Sequence, residues 1–156
     1  FAAAWRDDGT LVFAWVVEPP VRLGRPPGTW QLLVRSFADS RPLGPALRVA
    51  SVKDREGFAL ILSSIAVDPA GRVLIAWLDY EALHASTAWA QLVSPRGTAS
   101  GARFAVASPE SAEHAFAFCA NAAWSGEAWL VAWAAADKPF VDQRSNRSFL
   151  RRFSGR

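Results

Sequence analysis

The stretch Gly71-Arg72-Val73-Leu74-Ile75-Ala76-Trp77 (GRVLIAW) decides the fold, because close versions of it occur three times in the chain. The other two are GTLVFAW at residues 9–15 and GEAWLVAW at residues 126–133. The closing tryptophans, Trp15, Trp77 and Trp133, are separated by nearly equal lengths of chain. A phrase that recurs at a nearly constant interval indicates a repeated structural unit.

Two further phrases repeat with almost the same period. GPALRVAS at residues 44–51 matches GARFAVAS at 101–108. GFALILSSIAV at 57–67 aligns more loosely with EHAFAFCANAA at 113–123, and the interval between them is nearly identical. Because three independent phrases agree, we divide the chain into three units of one repeat domain, residues 1–56, 57–112 and 113–156.

The sequence of the second unit predicts four short strands. Its apolar runs cover residues 58–68, 72–80, 88–94 and 102–108, and they are rich in Val, Ile, Phe and Trp. Asp68-Pro69-Ala70-Gly71 separates the first two runs, and Pro95-Arg96-Gly97 separates the last two. Alanine favours helix, but the short runs and the Gly and Pro between them favour strands. We therefore predict an all-β chain in which each unit forms a four-stranded antiparallel sheet.

A four-stranded antiparallel sheet repeated along a chain is typical of the blades of a β-propeller. The phrase from Val67 to Trp77, with Asp68, Gly71 and the final Ala76-Trp77, resembles the repeats of secreted or surface β-propellers of high-GC bacteria. The chain holds about two and two-thirds repeats, whereas propellers close with about four to eight blades. We expect a partial, open ring of about three blades, completed by further blades of a longer chain or by other copies.

Composition restricts the function classes. The 156 residues carry a net charge of +3, from 17 basic and 14 acidic side chains, which is too small to indicate a nucleic-acid partner. No apolar run reaches the roughly 18 residues of a membrane-spanning helix. Cys119 is the only cysteine, so an intramolecular disulfide is excluded, and no metal-ligand spacing or cofactor motif is present.

Candidate binding residues lie near the loops in which the three units differ most, at 17–29, 78–87 and 134–148. Loops held by a rigid frame commonly carry function, and these three are expected on one rim of the ring. Trp15, Trp77 and Trp133 occupy equivalent positions, which favours packing between sheets over ligand stacking. Trp30 and Trp89 are predicted to begin the third strands, where an exposed indole could stack on a sugar ring. The remaining candidates for ligand binding are Asp79, Tyr80, Glu81, His84 and His114.

We expect a non-enzymatic binding or scaffold module that recognises a protein or a glycan through this rim. Carboxylates beside a histidine also suit acid–base work or cation binding, although the pattern assigns no catalytic residue and no metal ligand. The alternative is therefore part of a carbohydrate-active hydrolase or lyase whose catalytic residues lie partly in other blades. The resemblance implies a secreted, cell-surface or periplasmic protein.

Overall fold

The computed structural model describes residues 1–19, 28–53, 58–81, 85–107, 116–136 and 147–154, apart from the side chains of residues 58, 81, 85, 116, 118, 119, 136 and 147. The first five strands are β1 (Ala2–Trp5), β2 (Leu11–Val17), β3 (Thr29–Ala38), β4 (Arg41–Pro42) and β5 (Leu47–Lys53). The next four are β6 (Phe58–Val67), β7 (Val73–Glu81), β8 (Ala85–Val93) and β9 (Ala99–Ala107). The last three are β10 (Phe116–Trp124), β11 (Ala128–Ala136) and β12 (Arg147–Ser154).

The strands pair as three antiparallel meanders. Sheet one has the order β1-β2-β3-β5, with the short β4 beside the end of β3. Sheet two has the order β6-β7-β8-β9, and sheet three has the order β10-β11-β12. A single parallel bridge between Phe116 and Ser86 connects sheets two and three. The prediction of an all-β, antiparallel chain is confirmed, and the described residues contain no helix.

A tight turn between β6 and β7 places the repeated phrase in the sheet. Gly71 N donates to Asp68 O at 2.9 Å, and Asp68 N donates to Arg72 O at 3.0 Å. Gly71 adopts a φ of 75°, a left-handed conformation that a side chain disfavours. The carboxylate of Asp68 accepts from Arg72 N at 2.8 Å and from Arg72 Nε at 2.6 Å. The turn therefore fixes the register in which β6 and β7 pair.

Sheet two lies between the other two sheets, and its second strand shows why the phrase is apolar on both faces. Successive side chains of a strand point to opposite faces. Ile75 and Trp77 belong to the core shared with sheet one, whereas Leu74 and Ala76 belong to the core shared with sheet three. All four are fully buried. Because burying one Leu or Ile side chain stabilises a fold by about 1.5–3 kcal/mol, β7 contributes to holding all three sheets together.

Two serines fasten sheet two to the edge of β10. Ser64 Oγ accepts from Ala122 N at 2.6 Å and donates to Ala120 O at 3.2 Å. Ser86 Oγ donates to Ala117 O at 2.6 Å. These side chains supply partners for backbone groups that a buried strand edge would otherwise leave unpaired.

The predicted 78–87 loop is shorter in the structure, which corrects the sequence-based boundary. Asp79 pairs with Thr87 and Tyr80 pairs with Ser86, so β7 continues to Glu81 and β8 begins at Ala85. Thr and Tyr favour strands, and the apolar ladder below them extends the pairing. The predicted loops at 17–29 and 134–148 fall largely outside the described residues.

None of the described residues forms a helix that is long and apolar enough to cross a membrane.

Candidate functional site

The candidate site is built around Asp79, near the end of β7. Strand alternation puts Asp79 on the same face as Trp77, the face directed at sheet one. Trp77 lies opposite Trp89 in the β7–β8 pairing, so the second indole is on this face too. Trp89 is therefore in the middle of β8, which corrects the prediction that it begins the third strand. Arg103 reaches the same group from β9, and we name these four residues the Asp79 cluster.

Asp79 is a largely buried carboxylate with few partners. Trp77 Nε1 donates to Asp79 Oδ1 at 3.2 Å, and Arg103 Nη1 lies 3.9 Å from Asp79 Oδ2. The Asp79 side chain is 16% exposed, whereas that of Arg103 is 43% exposed. Desolvation by burial raises the pKa of Asp79 above its usual value, and the positive charge of Arg103 and the two indole N–H groups oppose this rise only in part.

The ring of Trp89 is covered by a guanidinium. Arg103 Cζ lies 4.3 Å from the centroid of the Trp89 ring, a cation–π geometry. Trp89 Nε1 is buried and approaches Asp79 closely enough to favour its charged form, but it does not reach hydrogen-bond geometry. A flat ligand that stacks on this ring must therefore displace Arg103 or pack against it.

The other sequence-based candidates have different positions. Trp30 is half-buried and packs with Trp77 and Trp89 in the core between sheets one and two. Tyr80 follows Asp79 and so lies on the opposite face of β7. Glu81 is the last residue of β7, and its side chain lies outside the described residues. His84 and His114 also lie outside the described residues.

The cluster brings together Trp89 and Asp79, both expected from sequence, and adds two residues that sequence reasoning did not assign to a site. Trp77 was expected to pack between sheets, and its indole N–H also holds Asp79. Arg103 carried one signal, a charge within the otherwise apolar strand phrase ARFAVAS. In the described part of the chain, no three His, Cys, Asp or Glu side chains come together as metal ligands.

Comparisons with protein-family models, with curated proteins and with solved structures found no match to the chain.

Proposed function

We propose that the chain forms consecutive blades of a β-propeller and acts as a non-enzymatic binding module, with the Asp79 cluster as part of the surface that recognises a glycan or protein partner. The observation that carries the binding role is the Arg103–Trp89–Asp79 arrangement. It combines an aromatic ring, a half-exposed cation and a carboxylate at the end of a rigid strand pair.

The repeated geometry of the sheets supports the propeller. In sheets two and three, Trp77 and Trp133 face the preceding sheet and pack in the shared core. The first strands of the three sheets follow one another in space, since β1 contacts β6 and β6 contacts β10. In a propeller, the innermost strands of successive blades adjoin in this way around an axis.

The free face of sheet one supports a further sheet beside it. Strand alternation directs Phe13 and Trp15 away from sheet two, and neither belongs to the two cores. Phe1 stacks on Phe13 with ring centroids 5.5 Å apart, and Phe13 stacks on Trp15 at 5.7 Å. Trp15 is the repeat equivalent of Trp77, so this aromatic row occupies the face that elsewhere packs on the preceding sheet. Another blade of a longer chain or another copy would bury it.

The chemistry of the Asp79 cluster supports a glycan over other small ligands. A carboxylate and a guanidinium offer several acceptors and donors for sugar hydroxyl groups. An indole offers an apolar face for the C–H side of a sugar ring. Trp and Arg are also the residue types that carry most binding energy at protein interfaces, so a protein partner uses the same surface.

One observation favours the alternative, a carbohydrate-active hydrolase or lyase. The pKa of Asp79 is raised by burial, and a carboxyl group with a raised pKa suits a general acid. Glycoside hydrolysis requires a second carboxyl group about 5–10 Å away. In this alternative, that group comes from another loop or another blade.

Binding is tested on a glycan array with the full chain and three variants, and glycan release is tested separately with a fourth variant, Asp79→Asn. Arg103→Gln removes the half-exposed cation, and Trp89→Phe keeps a ring but shortens the stacking surface. We expect both to weaken binding of the same glycans. Trp5→Phe is the control, because Trp5 is an exposed indole in β1 outside the cluster. If neither Arg103→Gln nor Trp89→Phe changes binding, the role of this surface is overturned. If the wild type releases a shortened glycan and Asp79→Asn does not, the result favours the hydrolase or lyase.

A further inference from the structure

A cavity lies between sheets one and two, at the opposite end of β7 from the Asp79 cluster. Its volume is about 420 Å³, and its lining includes buried core residues, Val12, Val34 and Val93. This volume is within the range of about 300–1,000 Å³ of sites for small organic molecules. Among the described residues, three arginines, Arg6, Arg35 and Arg96, line the cavity, and no acidic residue does.

Arg6 is the unusual member of this lining. The residue is only 7% exposed, and its Nε and Nη2 atoms have no hydrogen-bond partner among the described residues. The negative charge of Asp8 favours the protonated form of Arg6, but burial outweighs Asp8 and lowers the Arg6 pKa. Arginine nevertheless stays protonated in proteins. A buried guanidinium without a paired counter-charge is costly, so this position is suited to an anion supplied from outside.

The turn that carries Arg6 does not need its side chain. Arg6 N donates to Thr10 O at 2.9 Å, and Gly9 N donates to Arg6 O at 3.0 Å. The same two backbone bonds close the β6–β7 turn, where the equivalent residue is Asp68. Asp8 Oδ1 accepts from Thr10 N at 2.8 Å and so provides the local side-chain bond.

The three arginines that line the cavity differ in their contacts and in their exposure. The Arg6 side chain crosses to the next turn, and its Cδ and Nε atoms would lie 3.5 and 3.7 Å from a Cβ placed on Gly71. Arg35 Nε donates to Gly44 O at 2.7 Å, and Gly44 also lines the cavity, but strand alternation places the Arg35 side chain with Phe13 and Phe37 on the other face of sheet one. Arg96 is exposed on the β8–β9 turn. Arg6 and Arg96 therefore place one buried and one exposed positive charge at the cavity.

We propose that this cavity binds a small organic oxyanion, a phosphoryl or carboxyl group attached to an apolar body. The Arg6 guanidinium supplies a buried positive charge at the cavity, and a planar guanidinium matches the oxygens of phosphate and carboxylate. Arg96 adds positive charge, and the apolar body packs against Val12, Val34 and Val93. This inference is independent of the function proposed for the Asp79 cluster.

The test measures thermal unfolding and calorimetric titration of the full chain with phenyl phosphate, benzoate and inorganic phosphate, at constant ionic strength set with sodium chloride. A ligand that binds only the native state raises Tm in a saturable way. We expect saturation with phenyl phosphate or benzoate, and the stronger of the two identifies the anionic group. Weaker binding of inorganic phosphate is expected because it lacks the apolar body.

Arg6→Met keeps a long side chain but removes the charge. It should weaken binding at least about tenfold, because bonds to charged groups are worth more than neutral ones, and it should raise Tm in the absence of anion. Arg96→Gln, on an exposed turn, should also weaken binding and keeps the test decisive if Arg6→Met fails to fold. Arg152→Met is the matched control, since this exposed arginine lies on β12. The proposal is overturned if no probe saturates, or if the Arg6 and Arg96 variants bind as tightly as the Arg152 control.

Discussion

Trp77 and Trp15 occupy equivalent repeat positions, but only Trp77 is enclosed by two sheets, so truncating them should have unequal effects. Trp77 is 0% exposed, and its indole N–H donates to Asp79. Trp15 is half-buried and stacks on Phe13 at the free face of sheet one. We predict that Trp77→Ala lowers the free energy of unfolding much more than Trp15→Ala does in the purified chain.

The size of the difference follows from burial. A buried aromatic side chain removes about 150–250 Å² from water, which at about 25 cal/mol per Å² corresponds to about 4–6 kcal/mol. Substitutions of buried Trp by Ala cost about 3–5 kcal/mol, so we expect about 4 kcal/mol for Trp77→Ala. For Trp15→Ala we expect about half of that, roughly 2 kcal/mol, because part of the ring is already in water. Trp77→Phe should cost about 2 kcal/mol, because it removes the hydrogen bond to a carboxylate but keeps most of the packing.

Urea denaturation followed by circular dichroism gives the free energies, and light scattering at the same concentration gives the oligomeric state. The denaturant slope should stay constant across the variants, since a change would indicate that the sheets no longer unfold together. Equal losses for Trp77→Ala and Trp15→Ala in a monomer would refute the assignment of Trp15 to an uncovered face. If the wild type self-associates and Trp15→Ala makes it monomeric, the free face of sheet one is where the copies meet.

Three further predictions concern single side chains. Burial raises the pKa of Asp79 in the folded state. Above the ordinary aspartate pKa of about 3.9, the native state therefore holds a proton that the unfolded state has lost, so the free energy of unfolding should fall as pH rises through the folded-state pKa. Urea titrations should show this fall in the wild type but not in Asp79→Asn. Asp68→Ala should lower the free energy of unfolding by about 1–3 kcal/mol, because the buried carboxylate accepts two hydrogen bonds from Arg72. Thermal unfolding measures this loss, and an unchanged stability would mean that the turn closes without these two bonds. Ser64→Ala should cost about 1–2 kcal/mol and speed hydrogen exchange at the Ala122 amide, and unchanged exchange would contradict the link between sheets two and three.

The strands of sheet two were predictable because local signals agree with one another there. Asp68-Pro69-Ala70-Gly71 and Pro95-Arg96-Gly97 are turn sequences, and the runs between them are short and apolar. The structure places strand ends within a few residues of these signals, at Val67 and Val73 and at Val93 and Ala99. The period of the repeat gave the same division without reference to propensity.

The composition of the Asp79 cluster was not predictable, because it depends on register across three strands. The β8–β9 pairing shifts between Ala88 and Trp89 and again between Ala90 and Leu92. Such irregularities insert or remove a residue and redirect the side chains beyond them. These two register shifts determine that Arg103 reaches Trp89 and Asp79. No turn residue or apolar pattern in the sequence predicts the shifts. Asp79 itself was assigned to a loop because the three units differ most there, whereas the Trp77–Trp89 pair beside it extends the ladder.

Arg6 and Asp68 occupy equivalent positions of the repeat, yet they differ in chemistry, and this difference shows that the fold itself does not require an arginine at this position. Arg6 and Asp68 are separated by the same length of chain as Trp15 and Trp77, and they begin turns closed by the same backbone bonds. At this position Asp68 forms two bonds within its own turn, whereas Arg6 is buried with unpaired N–H groups. Stability alone favours a small polar or apolar residue there, since an uncompensated buried charge is among the costlier features of a folded chain. Arg6 lowers the stability of the fold at a position where a small polar or apolar residue would cost less free energy. Its presence there is best explained by the anion that it can bind.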